Sequence, residues 1–252
     1  METPGYIALS RQMVLRRQLD VIANNIANMD SPGYRGESMM FVEYLADTKD
    51  KVPAGLRKIS YVQDIASVRD LSEGAKTVTD NPLDLAVNGN GYFAIESENG
   101  ERYTRNGAFM LDGDGQIVTT SGLPLLNDNG QPMVIPPSAG RIDVARDGTV
   151  SYHDQEGGDV VEVGRIQIVQ FENEYALKKD AQLMFRADGQ EPLPAEDAEI
   201  LQGFIEKSNV KGVVEMTRLM QTVNSYQSAG RVVEAEHERQ RRAIQTLAGR
   251  SA

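Results

Sequence analysis

Asp112-Gly113-Asp114-Gly115-Gln116 offers the first candidate chemistry in this 252-residue chain, because its alternating carboxylates begin a calcium-loop spacing. Gln116 stands where an oxygen-rich ligand is expected, and no suitable glutamate closes the loop. The segment therefore reads as a hairpin turn. Asn88-Gly89-Asn90-Gly91 has the glycine density of a phosphate cradle without the strand-to-helix context, so it too reads as a turn. His153 and His237 lie far apart in hydrophilic surroundings, which suits surface residues better than metal ligands or general bases. Carboxylates are plentiful, but sequence alone places no pair of them across a cleft. Arg239, Arg241 and Arg242 interleave with Glu234, Glu236 and Glu238 as a solvated, mixed-charge helical face. No catalytic residue, cofactor or metal ligand is expected from these patterns, and the chain does not read as an enzyme.

Composition narrows the classes further. The absence of cysteine removes disulfides, thiol nucleophiles and thiolate metal sites together, while leaving the compartment open. A formal net charge of -11 argues against nonspecific nucleic-acid binding, which draws its affinity from basic side chains displacing phosphate counterions. No stretch approaches the ~20 apolar residues that span a bilayer, so no direct membrane insertion is expected. Met1-Glu2-Thr3-Pro4-Gly5-Tyr6 lacks the basic region, apolar run and small-residue cleavage site of a secretory signal, and no conventional export signal is expected.

The most specific spacing belongs to asparagines. Leu19-Asp20-Val21-Ile22-Ala23-Asn24-Asn25-Ile26-Ala27-Asn28 ends a stretch in which Ala8, Leu15, Leu19, Ile22, Ile26 and Met29 recur at helical intervals from Tyr6 onward. The helix is roughly 35 Å long at ~1.5 Å per residue, and Pro32 and Gly33 stop it. A second stripe, Val213, Met216, Leu219, Met220, Val223, Tyr226, Gly230 and Val233, begins after Asn209. Between about Asn81 and Arg186, short β-rich runs such as Tyr92-Phe93-Ala94-Ile95 and Gln116-Ile117-Val118-Thr119 are punctuated by Asn99-Gly100, Asp114-Gly115, Asn129-Gly130 and Asp147-Gly148. Those pairs supply the positive φ angles of tight hairpin turns and point to a compact antiparallel β domain. The class is α+β, with terminal amphipathic helices bracketing a central antiparallel β-rich domain. Residues 1–35 and 208–252 form a terminal helical assembly domain, 36–80 and 187–207 an extended connector with short strands, and 81–186 the β-rich domain.

The two helical stripes are natural partners. Leu15, Leu19, Ile22 and Ile26 are expected to meet Val213, Met216, Met220 and Val223, in the same subunit or a neighbour. Asn24, Asn25 and Asn28 then fix the register, since one buried polar residue can select register at some cost in stability. The alternative for these asparagines is a solvated helix end. Ordering some fifty helical residues costs roughly 1 to 2 kcal/mol each, while only about a third of positions bury large apolar groups worth ~1.5 to 3 kcal/mol. The termini are therefore expected to be poorly ordered in a monomer and to fold into an assembly.

Four segments resemble a known family, the bacterial flagellar axial proteins that build the rod and hook. They are Ala23-Asn24-Asn25-Ile26-Ala27-Asn28 with its Ser31-Pro32-Gly33-Tyr34 exit, Asp80-Asn81-Pro82-Leu83-Asp84-Leu85-Ala86-Val87-Asn88-Gly89-Asn90-Gly91-Tyr92-Phe93, Arg102-Tyr103-Thr104-Arg105-Asn106-Gly107-Ala108-Phe109, and Leu201 to Val210 followed by Glu215-Met216. Tyr6 to Met13 and the connector around Asp47 to Gly55 are more similar to the proximal-rod branch, with the distal-rod branch as runner-up. The Glu234 to Arg242 run is more charged than the family's usual ending.

The resemblance implies a structural subunit of the flagellar basal-body rod, in the periplasm, polymerising into a helical tube that transmits motor torque to hook and filament. It implies export in unfolded form through the flagellar type III apparatus, and other rod subunits as partners through the terminal helices. It also implies that those helices form an inner coiled-coil-like layer with the β-rich domain outside. The rival from another class is a periplasmic glycan-binding or glycan-active protein, which the absence of tryptophan for sugar stacking weakens.

Overall fold

The computed structural model describes residues 3–47, 58–154, 158–180 and 183–248, in two compact units. The first unit holds α1 (Thr3–Ala27), the antiparallel hairpin of β1 (Glu37–Asp47) and β2 (Lys58–Arg69), and α2 (Gly212–Ala248). The hairpin runs in register from Glu37 opposite Arg69 to Asp47 opposite Lys58, with one shift between Met40 and Phe41. These strands are longer than the short ones expected in this segment, and the charged and Pro-Gly run from Thr48 to Gly55 lies outside the described residues.

α1 ends where the sequence says it must. A turn follows Ala27, Ser31 N donates to Asn28 O at 3.1 Å, and Gly33 takes φ +68°. That left-handed angle favours glycine because it lacks a Cβ.

The expected coiled-coil-like layer is corrected by the packing. A coiled-coil seam needs large apolar side chains interlocking between the helices. Among the described side chains of α2, those that are buried are instead Glu215, Thr222 and Ala229, small or polar, while Val213, Met216 and Met220 lie exposed. α1 packs against α2 and also against β1 and β2. The unit is therefore a two-helix and hairpin cluster stitched by small and polar residues.

The second unit is built from Asn28–Arg35 and Leu71–Asn209. Its strands are β3 (Lys76–Val78), β4 (Leu85–Asn88), β5 (Tyr92–Ser97), β6 (Gly100–Thr104), β7 (Phe109–Leu111), β8 (Ile117–Thr119), β9 (Ala139–Val144), β10 (Thr149–Asp154), β11 (Val160–Arg165), β12 (Ile168–Gln170), β13 (Lys178–Lys179), β14 (Met184–Arg186), β15 (Leu193–Pro194), β16 (Glu199–Gln202) and β17 (Phe204–Glu206). The largest sheet has the order β13-β14-β6-β5-β12-β15; β9, β10 and β11 form a second, and β3-β17, β4-β16 and β7-β8 pair off. Every named pairing is antiparallel.

β5 shows why the sheet is stable. Alternate residues point to opposite faces of a strand, so Phe93 and Ile95 enter one core with Leu85, Phe109, Ile117 and Ile200, while Tyr92 and Ala94 enter another with Tyr103, Phe171 and Phe185. Edge-on aromatic pairs fix these cores, among them Phe93 with Phe109 at 5.2 Å and Tyr103 with Phe171 at 4.8 Å. The sheet's outer strands are two residues each and carry lysines on one side and a proline on the other, which blunts both edges against stray strand pairing.

Candidate assembly surface

Asn25 is the pivot of the helical unit. Its side-chain Oδ1 accepts from Glu37 N at 2.9 Å and its Nδ2 donates to Glu37 O at 2.8 Å, so the amide pairs with both backbone groups of the first residue of β1. The same Nδ2 reaches Glu215 Oε2 on α2 at 3.4 Å. Glu215 is buried and held by Arg218 Nη1 at 2.6 Å. One asparagine thus joins α1, the hairpin and α2, while Ile22, three residues earlier, lies buried on the helix face they share.

The remaining residues predicted to bind a partner divide by exposure. Leu15, Leu19, Ile26 and Asn28 are half-buried, and Asn24 is exposed. On α2, Val223 is half-buried, whereas Val213 is 81%, Met220 61% and Met216 49% exposed. Within one chain the structure therefore joins Asn25 to Glu215 of α2 and buries Ile22, and leaves Val213, Met216 and Met220 facing outward at spacings of three and four. α1 adds Leu9 and Met13, also exposed. Nearer the start of α1, Ala8 and Arg11 with Asn224, Ser228, Ala229 and Val232 line a groove of about 610 Å³. Gly230 sits close by, where a Cβ would lie 3.6 Å from Gln12 Nε2.

The second unit contains a buried ionic cluster that sequence reasoning missed. Arg105, whose side chain is fully buried, donates from Nη1 to Gly91 O at 2.7 Å and from Nη2 to Gly89 O at 2.9 Å. Its Nε lies 3.4 Å from Glu206 Oε2, a Coulombic contact whose angle does not make a directed hydrogen bond. Burial lowers the Arg105 pKa and the charge of Glu206 opposes that shift. Two guanidinium groups approach the Tyr92 ring, Arg35 at 5.7 Å and Arg105 at 5.8 Å from its centre. Arg102, Tyr103, Thr104 and Arg105 are all buried in succession, so no alternation along the chain marks Arg105 as the inward charge.

The chemistry-bearing motifs resolve into turns and surface pairs. Asp112 Oδ1 accepts from Asp114 N at 2.9 Å and Gln116 N at 2.8 Å, so the carboxylate caps its own turn. The carbonyls around Asn88 to Gly91 receive the Arg105 guanidinium. His153 Nε2 lies 3.0 Å from Asp143 Oδ2 at the surface, and His237 is exposed. Arg239 and Arg242 pair with Glu236 and Glu238 one turn earlier on α2. Among the described residues no group of three or more acidic or histidine side chains is placed to hold a metal. Among them, too, no helix is long and apolar enough to cross a membrane.

Comparison with known proteins follows the same layout. Residues 6–35 match the family described as "Flagella basal body rod protein", 86–152 the "Flagellar hook protein FlgE/F/G D1 domain", and 201–246 the "Flagellar basal body rod FlgEFG protein C-terminal". The chain is 36% identical to the flagellar basal-body rod protein FlgF of Caulobacter vibrioides, over 98% of both chains. It is 31% identical to FlgF of Rhizobium meliloti over 99% of both, and 32% identical to FlgG of Caulobacter vibrioides over 90% of this chain and 92% of that one. Full-length similarity at this level, with a matched family at each end and in the middle, shows that the chain belongs to the flagellar basal-body rod proteins.

Proposed function

We propose that this chain is a non-catalytic structural subunit of the proximal rod, joining other rod subunits into a helical tube that carries motor torque to the hook and filament. The observation that carries the assembly reading is the outward row Val213, Met216 and Met220. Side chains of this size facing water beside a well-packed junction suit a partner that covers them. A contact that repeats head to tail without closing generates a helix, which is the geometry a tube needs. Stiffness then comes from packed interiors, which deform little under load.

Leu15, Leu19, Ile26, Asn24 and Val223 belong to the same helical unit and Asn28 directly follows α1 along the chain, and we assign them to the margin of the partner-binding surface. Export through the flagellar type III apparatus before folding suits a chain whose two helices lie at opposite ends of the sequence. The terminal helices gain their full order from neighbouring subunits, so circular dichroism should report less helix for the isolated subunit than for the assembled rod. The proximal position is favoured over the distal one by full-length FlgF relatives at 30 to 36% identity.

The test is substitution of the outward row. Met216→Glu with Met220→Glu, expressed in place of the natural chain, should leave a folded subunit and abolish motility and rod assembly. Normal swimming and rods of full length would refute the surface.

A further inference from the structure

The buried cluster around Tyr92 does something that neither the helical surface nor the sheet requires: it grips the segment Asn28–Arg35. This segment follows α1 and precedes β1 along the chain, yet it packs with the β-rich unit. Two kinds of tie hold it there. On its backbone side, Gly33 N donates to Glu206 O at 2.8 Å, and Asn209 N donates to Tyr34 O at 3.4 Å. On its side-chain side, Lys179 Nζ lies 5.1 Å above the Tyr34 ring, and Arg35 runs into the cluster. Arg35 Nη1 donates to Glu174 Oε2 at 3.1 Å and to Tyr92 Oη at 3.3 Å, and Tyr92 Oη donates to the same Glu174 oxygen at 2.6 Å.

The two jaws of this contact differ in footing. Tyr92 belongs to the central strand β5 and is fully buried. Glu174 stands on a single 3-10 turn, Glu174–Ala176, held by the Asn173 side chain capping Tyr175 N and by the backbone bonds from Ala176 N to Asn173 O and from Leu177 N to Glu174 O. A buried ion pair contributes little net stability while it is intact. Once one partner leaves, the other is an uncompensated charge in a site of low polarity. Arg35, with a side chain only 3% exposed, has such a site, and its Nε makes no hydrogen bond. Partial opening is therefore costlier than either end state, and the contact behaves as a two-position device.

We propose that Arg35 and Glu174, closing over Tyr92, form a clasp that latches residues 28–35 onto the β-rich unit, and that the clasp opens as a local event separate from unfolding of the sheet. The close approach of Gly33 to Arg105 sharpens the latch. A Cβ on Gly33 would lie 2.4 Å from the Arg105 carbonyl carbon, so the segment seats only with glycine at that position.

Backbone hydrogen exchange of the purified full-length protein tests this, with Glu174→Gln and Arg35→Met as variants. Loss of a charge-assisted contact should raise exchange at Gly33, Tyr34 and Asn209 roughly tenfold or more, while the β5 amides Phe93 to Ile95 stay within about twofold of their starting rates. In the unsubstituted protein, low denaturant should accelerate β5 exchange far more steeply than exchange at Gly33 and Tyr34. That comparison holds even where a variant fails to fold. Unchanged exchange at Gly33 and Tyr34 in both variants would overturn the clasp. So would one common denaturant dependence for the segment and β5 in the unsubstituted protein.

Discussion

The side-chain amide of Asn25 occupies the place of a neighbouring strand beside Glu37, accepting from its N–H at 2.9 Å and donating to its C=O at 2.8 Å. The backbone groups of Glu37 are thereby satisfied by a helix residue while Arg69 of β2 stands opposite, and the contact to Glu215 extends the tie to α2. Asparagine suits the position because its amide carries a donor and an acceptor in the same geometry as a peptide group. The polar signature near the end of α1 is in this respect an internal fastening of one subunit.

Asn25→Leu should cost roughly 2 to 4 kcal/mol of stability, because both backbone groups of Glu37 and one carboxylate oxygen of Glu215 lose a buried partner. Asn24→Ala, at an exposed position on the same helix, should change stability by no more than about 0.5 kcal/mol. Urea unfolding of the two variants makes the comparison. Equal effects would mean that Asn25 does not fasten the unit.

Met220→Glu alone should leave the unfolding free energy within about 0.5 kcal/mol of the natural chain, since the side chain is 61% exposed. It should nevertheless reduce incorporation into basal bodies, which immunoblotting of purified basal bodies would measure. A variant that incorporates fully would show that this part of α2 is not covered in the rod.

Burial of the Tyr92 phenol, helped by its hydrogen bond to Glu174 and opposed by the charge of Arg35, raises its pKa well above the tyrosine value of ~10. The folded state then keeps the proton after the unfolded chain has lost it. The contribution to stability is full below ~10 and declines as pH rises from there toward the folded pKa. Burial raises Tyr103 in the same direction. Alkaline titration of tyrosinate absorbance should show Tyr92 and Tyr103 ionising late, and Tyr92→Phe should remove one late-ionising group. A titration in which all tyrosines ionise together near ~10 would contradict the burial of both.

Gly107→Ala should destabilise the β-rich unit by roughly 3 kcal/mol or more, since the added Cβ would fall 1.6 Å from Leu85 O, on the backbone whose N–H is bonded to Gly107 O. Gly113→Ala, with nothing within 4 Å of the added Cβ, serves as the control and should lie within about 0.5 kcal/mol. Thermal unfolding separates the two.

The elements that announce themselves locally were readable in the sequence. α1 and α2 follow from three- and four-residue spacing, and the glycines of Asn99-Gly100, Asp114-Gly115, Asn129-Gly130 and Asp147-Gly148 all take positive φ, from +72° to +94°. The helix interface was not readable in this way. Periodicity marks the largest apolar stripe, and on α2 that stripe faces outward at Val213, Met216 and Met220, while the buried line runs through Glu215, Thr222 and Ala229. A small or charged residue looks solvated until its partner is known, and Glu215 finds Asn25 190 residues away in sequence. Arg35, Arg105 and Glu206 were hidden for the same reason. Each lies inside only because distant segments supply its carbonyls and counter-charge.

A subunit-resolved map of the basal body tests the central claim most directly. Copies of this chain should stand in the rod, with Val213, Met216 and Met220 covered by a neighbouring rod subunit and Asn25 still paired with Glu37 inside its own chain. A rod without this chain, or copies whose Val213, Met216 and Met220 all face open solvent, would contradict it.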